Sequence, residues 1–152
     1  MGKPGVTPVI KNRKAYRDYF IEEELEAGIV LRGCEVKMVR RGGFELRDAF
    51  CEIKHREMWL NGSHIPEYPQ ASTHTAYEPG RRRKLLLHAQ EIKRLTRQVQ
   101  QKGVTIVPLK AYFSQGKVKL LIGLARGKKQ FDKRETIKAR DVKREHARRI
   151  RS

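Results

Sequence analysis

Five histidines, at positions 55, 64, 74, 88 and 146, and seventeen Asp and Glu residues are the groups in this 152-residue chain from which acid–base or metal chemistry would be built. No two histidines stand in an HxxxH or HxH pattern, the spacings that place two ligands on one face of an element. The phosphate-cradling GxxxxGK[ST], the dinucleotide GxGxxG and the nucleophile-elbow GxSxG are all missing. His64 follows the apolar Met58-Trp59-Leu60 segment and reads as a satisfied edge residue. Cys34 and Cys51 sit among apolar neighbours, where a buried free thiol is the ordinary outcome. No catalytic residue, metal site or cofactor is expected.

Binding chemistry is better represented. Lys and Arg number 35 against 17 acids, a formal charge of +18. An excess of that size repels itself unless a polyanion neutralises part of it. The cations come in clusters. Arg81, Arg82, Arg83 and Lys84 run straight into Leu85-Leu86-Leu87, so the charge is tethered to an apolar anchor. Gly123-Leu124-Ala125-Arg126-Gly127-Lys128-Lys129 sets glycines beside lysines, a pattern that lets backbone N–H groups approach a phosphate. With Asn12-Arg13-Lys14 these form a polyanion footprint. Aromatic residues are 7% of the chain, too few for base stacking along a strand. Neither a helix-turn-helix nor the aromatic motif of an RRM is present, so a folded RNA recognised by shape and backbone fits better than a sequence read base by base. A structural ribosomal protein would share these features, and an RNA-cleaving enzyme remains as a weaker alternative.

The elements that must hold these residues read as mainly strand. Val107, Leu109, Ala111 and Phe113 alternate, and after Ser114-Gln115-Gly116 the alternation resumes at Val118, Leu120, Ile122 and Leu124, which predicts a hairpin. Ala49, Cys51 and Ile53, then a polar Lys54–Glu57 turn, then 58–65, predict another. Tyr19-Phe20-Ile21 and Ile29-Val30-Leu31 flank Glu22-Glu23-Glu24 as one long strand bent near Gly28. Ala89, Ile92, Leu95 and Val99 recur at helical spacing over 88–102, with Gly103 as its stop, and a shorter helix fits Glu35 to Arg41 before Gly42-Gly43. Residues 67–80 lack periodicity and read as an exposed loop. Short strands, glycine turns and interrupting helices predict an OB-like closed antiparallel barrel with embedded helices, spanning 12–131 after a flexible N-terminus at 1–11. No apolar run approaches the roughly 18 residues of a membrane-spanning helix, no secretory leader is recognisable, and two cysteines make no disulfide framework. A cytoplasmic monomer is expected.

Residues 126–152 carry twelve Lys and Arg against four Asp and Glu, and past Asp132 only Ile137, Ala139, Val142, Ala147 and Ile150 are aliphatic. That is too little apolar area to order the segment alone, so 132–152 is expected to be a basic tail, disordered when free. Asp132 and Glu135 make a capping-box-like start, so the tail is helix-competent on a partner. A charge run that never orders fits the composition equally well.

Asn12-Arg13-Lys14-Ala15, Asp18 to Glu23, Glu26 to Ile29, Gly33 to Lys37, Arg83 to Leu87, Gly123 to Lys129 and Asp132-Lys133-Arg134 together resemble the SsrA-binding protein (small protein B) family of bacterial trans-translation, in register over roughly residues 12–145. The resemblance implies an OB-like barrel that binds the tRNA-like domain of transfer-messenger RNA and delivers it to stalled ribosomes. The tail would become helical in the messenger channel near the decoding centre, and the protein itself would catalyse nothing. It further implies RNA contacts at Asn12, Glu26, Leu86, Gly127, Lys128 and Lys129. Phe131, Asp132, Lys133, Arg134, Lys138, Arg140, Lys143 and Arg144 would belong to the ribosome-facing tail. Phe131 departs from the histidine or tyrosine frequent there; its ring can stack but donates no hydrogen bond.

Overall fold

The computed structural model describes residues 8–69 and 76–128. Seven strands and three helices follow in the order β1 (Ile10–Lys11), α1 (Arg13–Asp18), β2 (Tyr19–Ile29), α2 (Gly33–Arg40), β3 (Phe50–Lys54), β4 (Glu57–Asn61), β5 (Arg83–Leu86), α3 (Ala89–Gln98), β6 (Val104–Ser114) and β7 (Lys117–Gly127). The strands pair antiparallel in the order β1-β6-β3-β4-β5-β2-β7, and β7 also pairs with β6. The mainly β, antiparallel expectation therefore holds. The sheet starts before the boundary expected at residue 12, because Ile10 and Lys11 pair with Ala111 and Lys110. The expected tail lies outside the described residues, and Lys129, Phe131, Asp132, Lys133, Arg134, Lys138, Arg140, Lys143 and Arg144 lie there too.

Both predicted hairpins form. Gln115 and Gly116 connect β6 to β7 with φ of 53° and 78°, the double left-handed conformation of a type I′ turn, whose twist matches the strands it joins. His55 and Arg56 make the same kind of turn between β3 and β4 at φ of 53° and 65° without a glycine, against the steric preference of L-residues. The α2 helix stops as its glycines predict. The Gly42 N–H donates to the Val39 carbonyl oxygen and the Gly43 N–H to that of Met38, a Schellman close with Gly42 at φ 86°. The α3 helix ends at Gln98, a turn earlier than expected; Gly103, at φ 82°, serves the turn that enters β6 instead.

Two register shifts divide the sheet's apolar residues between two cores. In β2 the shift falls between Ile21 and Glu23, not near Gly28 as expected, since Gly28 pairs regularly with Lys119 and with Leu86. In β6 it falls between Pro108 and Lys110. An extra residue in one strand reverses which face the following side chains take. Leu25, Ala27, Ala111, Leu120 and Ile122 thus line the main core with Met58, Leu60, Leu85 and Leu95. Val107 and Leu109 lie on the opposite face, under Ala15 of α1 with Ala125, flanked by Tyr19 and Ile21. What reads as one apolar face at 107–113 is two.

Candidate nucleic-acid interface

Strand alternation decides what the four-cation run presents. Leu85 is 1% exposed and Arg83, two residues earlier, is 0%, while Leu86 is 51% exposed. Arg82, Lys84 and Leu86 therefore share the outward face. The Arg82 guanidinium lies 4.3 Å from the Trp59 ring centroid, and Lys84 Nζ donates to Glu57 Oε2 at 2.7 Å. Arg83, expected with the other three cations at the RNA, is turned inward. Its Nη2 donates to Glu35 Oε2 at 2.8 Å and to the Pro79 carbonyl oxygen at 3.0 Å, and its Nη1 to Ser63 Oγ and the Arg81 carbonyl oxygen. A guanidinium consumed in this way has no donor left for a phosphate.

Arg81 is drawn into the same cluster. Its Nη2 and Nε donate to Glu35 Oε1 and Oε2 at 2.5 and 3.0 Å, and its side chain keeps 20% of its surface exposed. Glu35, on α2, also accepts from the Arg32 N–H at 2.7 Å, which caps that helix. The Tyr77 hydroxyl donates to the Ile65 carbonyl oxygen at 2.7 Å and lies 3.3 Å from Glu35 Oε2. Burial alone would raise the Glu35 carboxyl; the two arginines and the Arg32 amide outweigh it and hold it below the usual carboxylate range. One carboxylate thus ties α2, the 76–80 segment and β5 together.

Glu26 and Leu86 do come together. Leu86 pairs with Gly28 across β2 and β5, and Glu26 stands two residues earlier on the same outward face. The Glu26 carboxylate accepts from the Tyr112 hydroxyl at 2.6 Å. Tyr112 pairs with Lys119, which in turn pairs with Gly28, so both belong to this face. Sequence reasoning singles out neither of them. The one signal for Tyr112 is its even position beside the apolar Ala111 and Phe113.

A second group gathers at the other end of β2. Gly127 pairs with Tyr19, Lys128 Nζ lies 5.1 Å from the Phe20 ring centroid, and Arg13 is exposed on α1. Lys14 Nζ donates to Asp48 at 2.7 Å, which holds that carboxyl below its usual range. The run from Tyr19 to Glu26 separates the two groups by roughly 23 Å at the usual strand rise, a span suited to a folded RNA rather than to one phosphate. Asn12, expected as an RNA contact, is buried at 4% exposure. Its Nδ2 donates to the Leu46 and Pro108 carbonyl oxygens at 3.0 and 2.8 Å, and its Oδ1 accepts from the Ala15 N–H at 3.3 Å. It caps α1 and straps that helix to the irregular part of β6. Gly123 is likewise a packing residue, not a phosphate approach: a Cβ there would come 2.8 Å from Leu109 Cδ1 and 3.1 Å from Ile21 Cγ2.

Cys34 and Cys51 are free thiols, and burial pushes the Cys51 thiol far up, which leaves it unreactive. Among the described residues no three His, Cys, Asp or Glu side chains are grouped to hold a metal ion, and no helix is long and apolar enough to cross a membrane.

Comparison with known proteins places the chain in a family. The SmpB protein family model matches residues 9–152. An SsrA-binding protein of Paraburkholderia xenovorans (strain LB400) is 52% identical over 144 residues, 95% of this chain and 97% of that relative. One from Cupriavidus taiwanensis is 53% identical over 140 residues, 92% of this chain and 94% of the relative. A solved structure described as "tmRNA-SmpB: a journey to the center of the bacterial ribosome" superposes with a TM-score of 0.67 at 47% identity, covering 80% of this chain and 85% of that one. A family match over residues 9–152, with relatives identical at about half their positions over nearly their whole length, makes this chain a member of the SmpB protein family.

Proposed function

We propose that this chain is the RNA-binding adaptor of trans-translation: it binds the tRNA-like domain of transfer-messenger RNA and carries that RNA to stalled ribosomes, where the nascent chain is tagged and the ribosome released. The observation that carries the reading is the outward face of β2 and β5. There Arg82, Lys84, Leu86 and Glu26 lie along one outward face while Arg83 is turned inward. Arg13, Gly127 and Lys128 extend the footprint at the α1 end, Lys14 and Arg81 contribute from partly exposed positions, and Lys129 continues it. Asn12 acts by fixing α1. The protein's own residues perform no catalytic step in this reading, and it works as a monomer in the cytoplasm.

The body takes the OB-like closed barrel, which the pairing of β7 with both β2 and β6 supports. Residues 132–152 act as a separate basic module that folds in the messenger channel, with Phe131 at its start, and Asp132, Lys133, Arg134, Lys138, Arg140, Lys143 and Arg144 meeting ribosomal RNA. Their composition supports that role: abundant cations with too little apolar area to fold alone. Sequencing the RNA that co-purifies with the protein tests the reading, and transfer-messenger RNA should dominate at substoichiometric ribosome content. Stoichiometric recovery with ribosomal subunits would identify a structural ribosomal protein instead.

A further inference from the structure

Away from the outward face of β2 and β5, a cavity of about 400 Å³ lies between α1, the 47–50 segment and β6. Its floor is apolar: Ala15, Ala49 and Val107 line it and are themselves buried. Phe50 forms part of the wall and stays 47% exposed, so a large ring is left half in water. At the rim stand two carboxylates, Asp18 and Asp48, with Lys14 and Arg47 beside them. On a chain carrying +18 this is a locally neutral spot, where a cationic segment meets less repulsion than elsewhere. Asp48 Oδ1 accepts from Lys14 Nζ at 2.7 Å, and the Asp48 side chain keeps 72% of its surface exposed. A carboxylate with about four acceptor positions thus has room for a second cation.

The C-terminal chain leaves β7 beside this cavity. Gly127 ends β7 and pairs with Tyr19, Ala125 pairs with Thr105, and both partners line the cavity. Lys128 Nζ lies 3.5 Å from the Tyr16 carbonyl oxygen of α1. The chain continues Lys129-Gln130-Phe131-Asp132-Lys133-Arg134. Phe131 is three residues past Lys128, a reach of up to about 10 Å for an extended chain, enough to enter from the Tyr19 side. We propose that the cavity is the resting dock of the tail's first residues while no ribosome is bound. The Phe131 ring sits against Phe50 over the floor of Ala49 and Val107, Asp132 faces Lys14 and Arg47, and Lys133 and Arg134 face Asp48 and Asp18. The inference rests on reading residues 132–152 as a separate module that acts on the ribosome. Ring-on-ring contact and opposite charges supply the attraction. One covered ring and a few exposed ion pairs stand against the entropy of ordering four residues, so the dock is occupied yet exchanges readily. A tail held in this way is withheld from unrelated RNA, and the ribosome takes it over by offering the same cations a larger polyanionic surface.

The test is nuclear magnetic resonance on the full-length, isotope-labelled protein, free of RNA and ribosomes. Nuclear Overhauser contacts should connect the Phe131 ring protons to the Ala49 and Val107 methyls. The Lys133 amide should exchange about threefold more slowly than the Lys138 amide, each corrected for its neighbours in sequence. Phe131→Ala should shift those methyl signals and remove the protection. Asp48→Lys, a change at a largely exposed side chain, should also abolish contacts and protection while the body's amide spectrum stays dispersed. Glu45→Lys makes an equal charge change at an exposed residue that does not line the cavity, and it should leave both in place. Mixing labelled with unlabelled chains identifies the copy: contacts between chains would make the occupant a second molecule and overturn the proposal. Methyls that respond to added transfer-messenger RNA but not to Phe131→Ala would make the occupant an RNA base, with the same consequence. Absence of contacts and protection in the wild-type protein would overturn the dock and leave the tail module standing, because that reading fails separately, when truncation after Gln130 leaves tagging intact.

Discussion

Replacing Glu35 by glutamine should be the most damaging single-atom change in the molecule. The substitution keeps the size of the side chain and one acceptor oxygen but removes the charge that two guanidiniums share. Arg83, with no exposed surface, is left as a buried cation facing an amide, and Arg81 loses a 2.5 Å partner. Removing one member of a buried ion pair costs about 3–5 kcal/mol, because the survivor's desolvation is no longer offset. Domain stabilities of about 5–15 kcal/mol make that a fifth or more of the whole. In urea, with a slope of about 1.5 kcal/mol per molar, the unfolding midpoint should fall by about 2–3 M at pH 7. Circular dichroism against urea measures it. A double variant, Glu35→Gln with Arg83→Met, should recover most of the loss, since a neutral apolar chain of similar length leaves nothing charged in the core. A Glu35→Gln protein within 1 kcal/mol of wild type would refute the reasoning, for it would mean that the carboxylate does not hold α2 to β5.

The same carboxyl gives a pH signature: its folded value is depressed, so its contribution is complete above the unfolded value near 4.3 and is lost as pH falls from there through the folded value; the urea midpoint of Glu35→Gln should accordingly fall less steeply between about pH 5 and pH 2.5. Lys128→Ala with Lys129→Ala should flatten the salt dependence of RNA binding by nearly two powers of salt concentration, about 0.9 for each phosphate no longer neutralised, in a filter-binding titration; an unchanged slope would remove both lysines from the footprint. The β3–β4 turn should accept His55→Asn with Arg56→Gly and gain about 1–2 kcal/mol in urea unfolding, since both residues sit in the left-handed region. Truncation after Gln130 should leave specific RNA affinity intact and abolish tagging of stalled nascent chains, Phe131→Ala should impair tagging more than RNA binding, and Phe131→Tyr should be tolerated; equal losses of binding and tagging would show that the tail is no separate module.

Local chemistry made much of the fold legible. The turn residues Gln115-Gly116 and Gly42-Gly43, and the helical repeat of Ile92 and Leu95, each state their own conformation, and the structure follows them. The sequence misled where side-chain parity depends on a partner strand. Val107, Leu109, Ala111 and Phe113 keep a perfect two-residue repeat, yet a register shift at Leu109 sends the first two beneath α1 and the last two toward the main core. A bulge has no side-chain signature of its own. This one falls beside Pro108, whose carbonyl Asn12, 96 residues away, ties to α1, and no local window contains both residues. The break in β2, expected at its glycine, falls instead at Glu22, where its register against β7 shifts.

The basic run shows how far residue types can go in defining a site. Four consecutive cations look equivalent as a composition, and their electrostatic effect at long range is equivalent. At contact distance a strand makes them alternate, and the single fully buried leucine, Leu85, fixes the phase: Arg83 must face the core with it, while Arg82 and Lys84 face out with Leu86. Three consecutive leucines, Leu85 to Leu87, leave that phase open in the sequence, and the observed burial of Leu85 sets it. What the sequence did not announce was how an arginine survives in the core, because Glu35 lies 48 residues earlier on a helix and looks there like an ordinary capping residue. The run therefore divides its charge between two tasks. Its inward arginine locks β5 against α2, and that lock sets the orientation in which Arg82, Lys84 and Leu86 face outward, so the stability of the pair and the shape of that face rise and fall together.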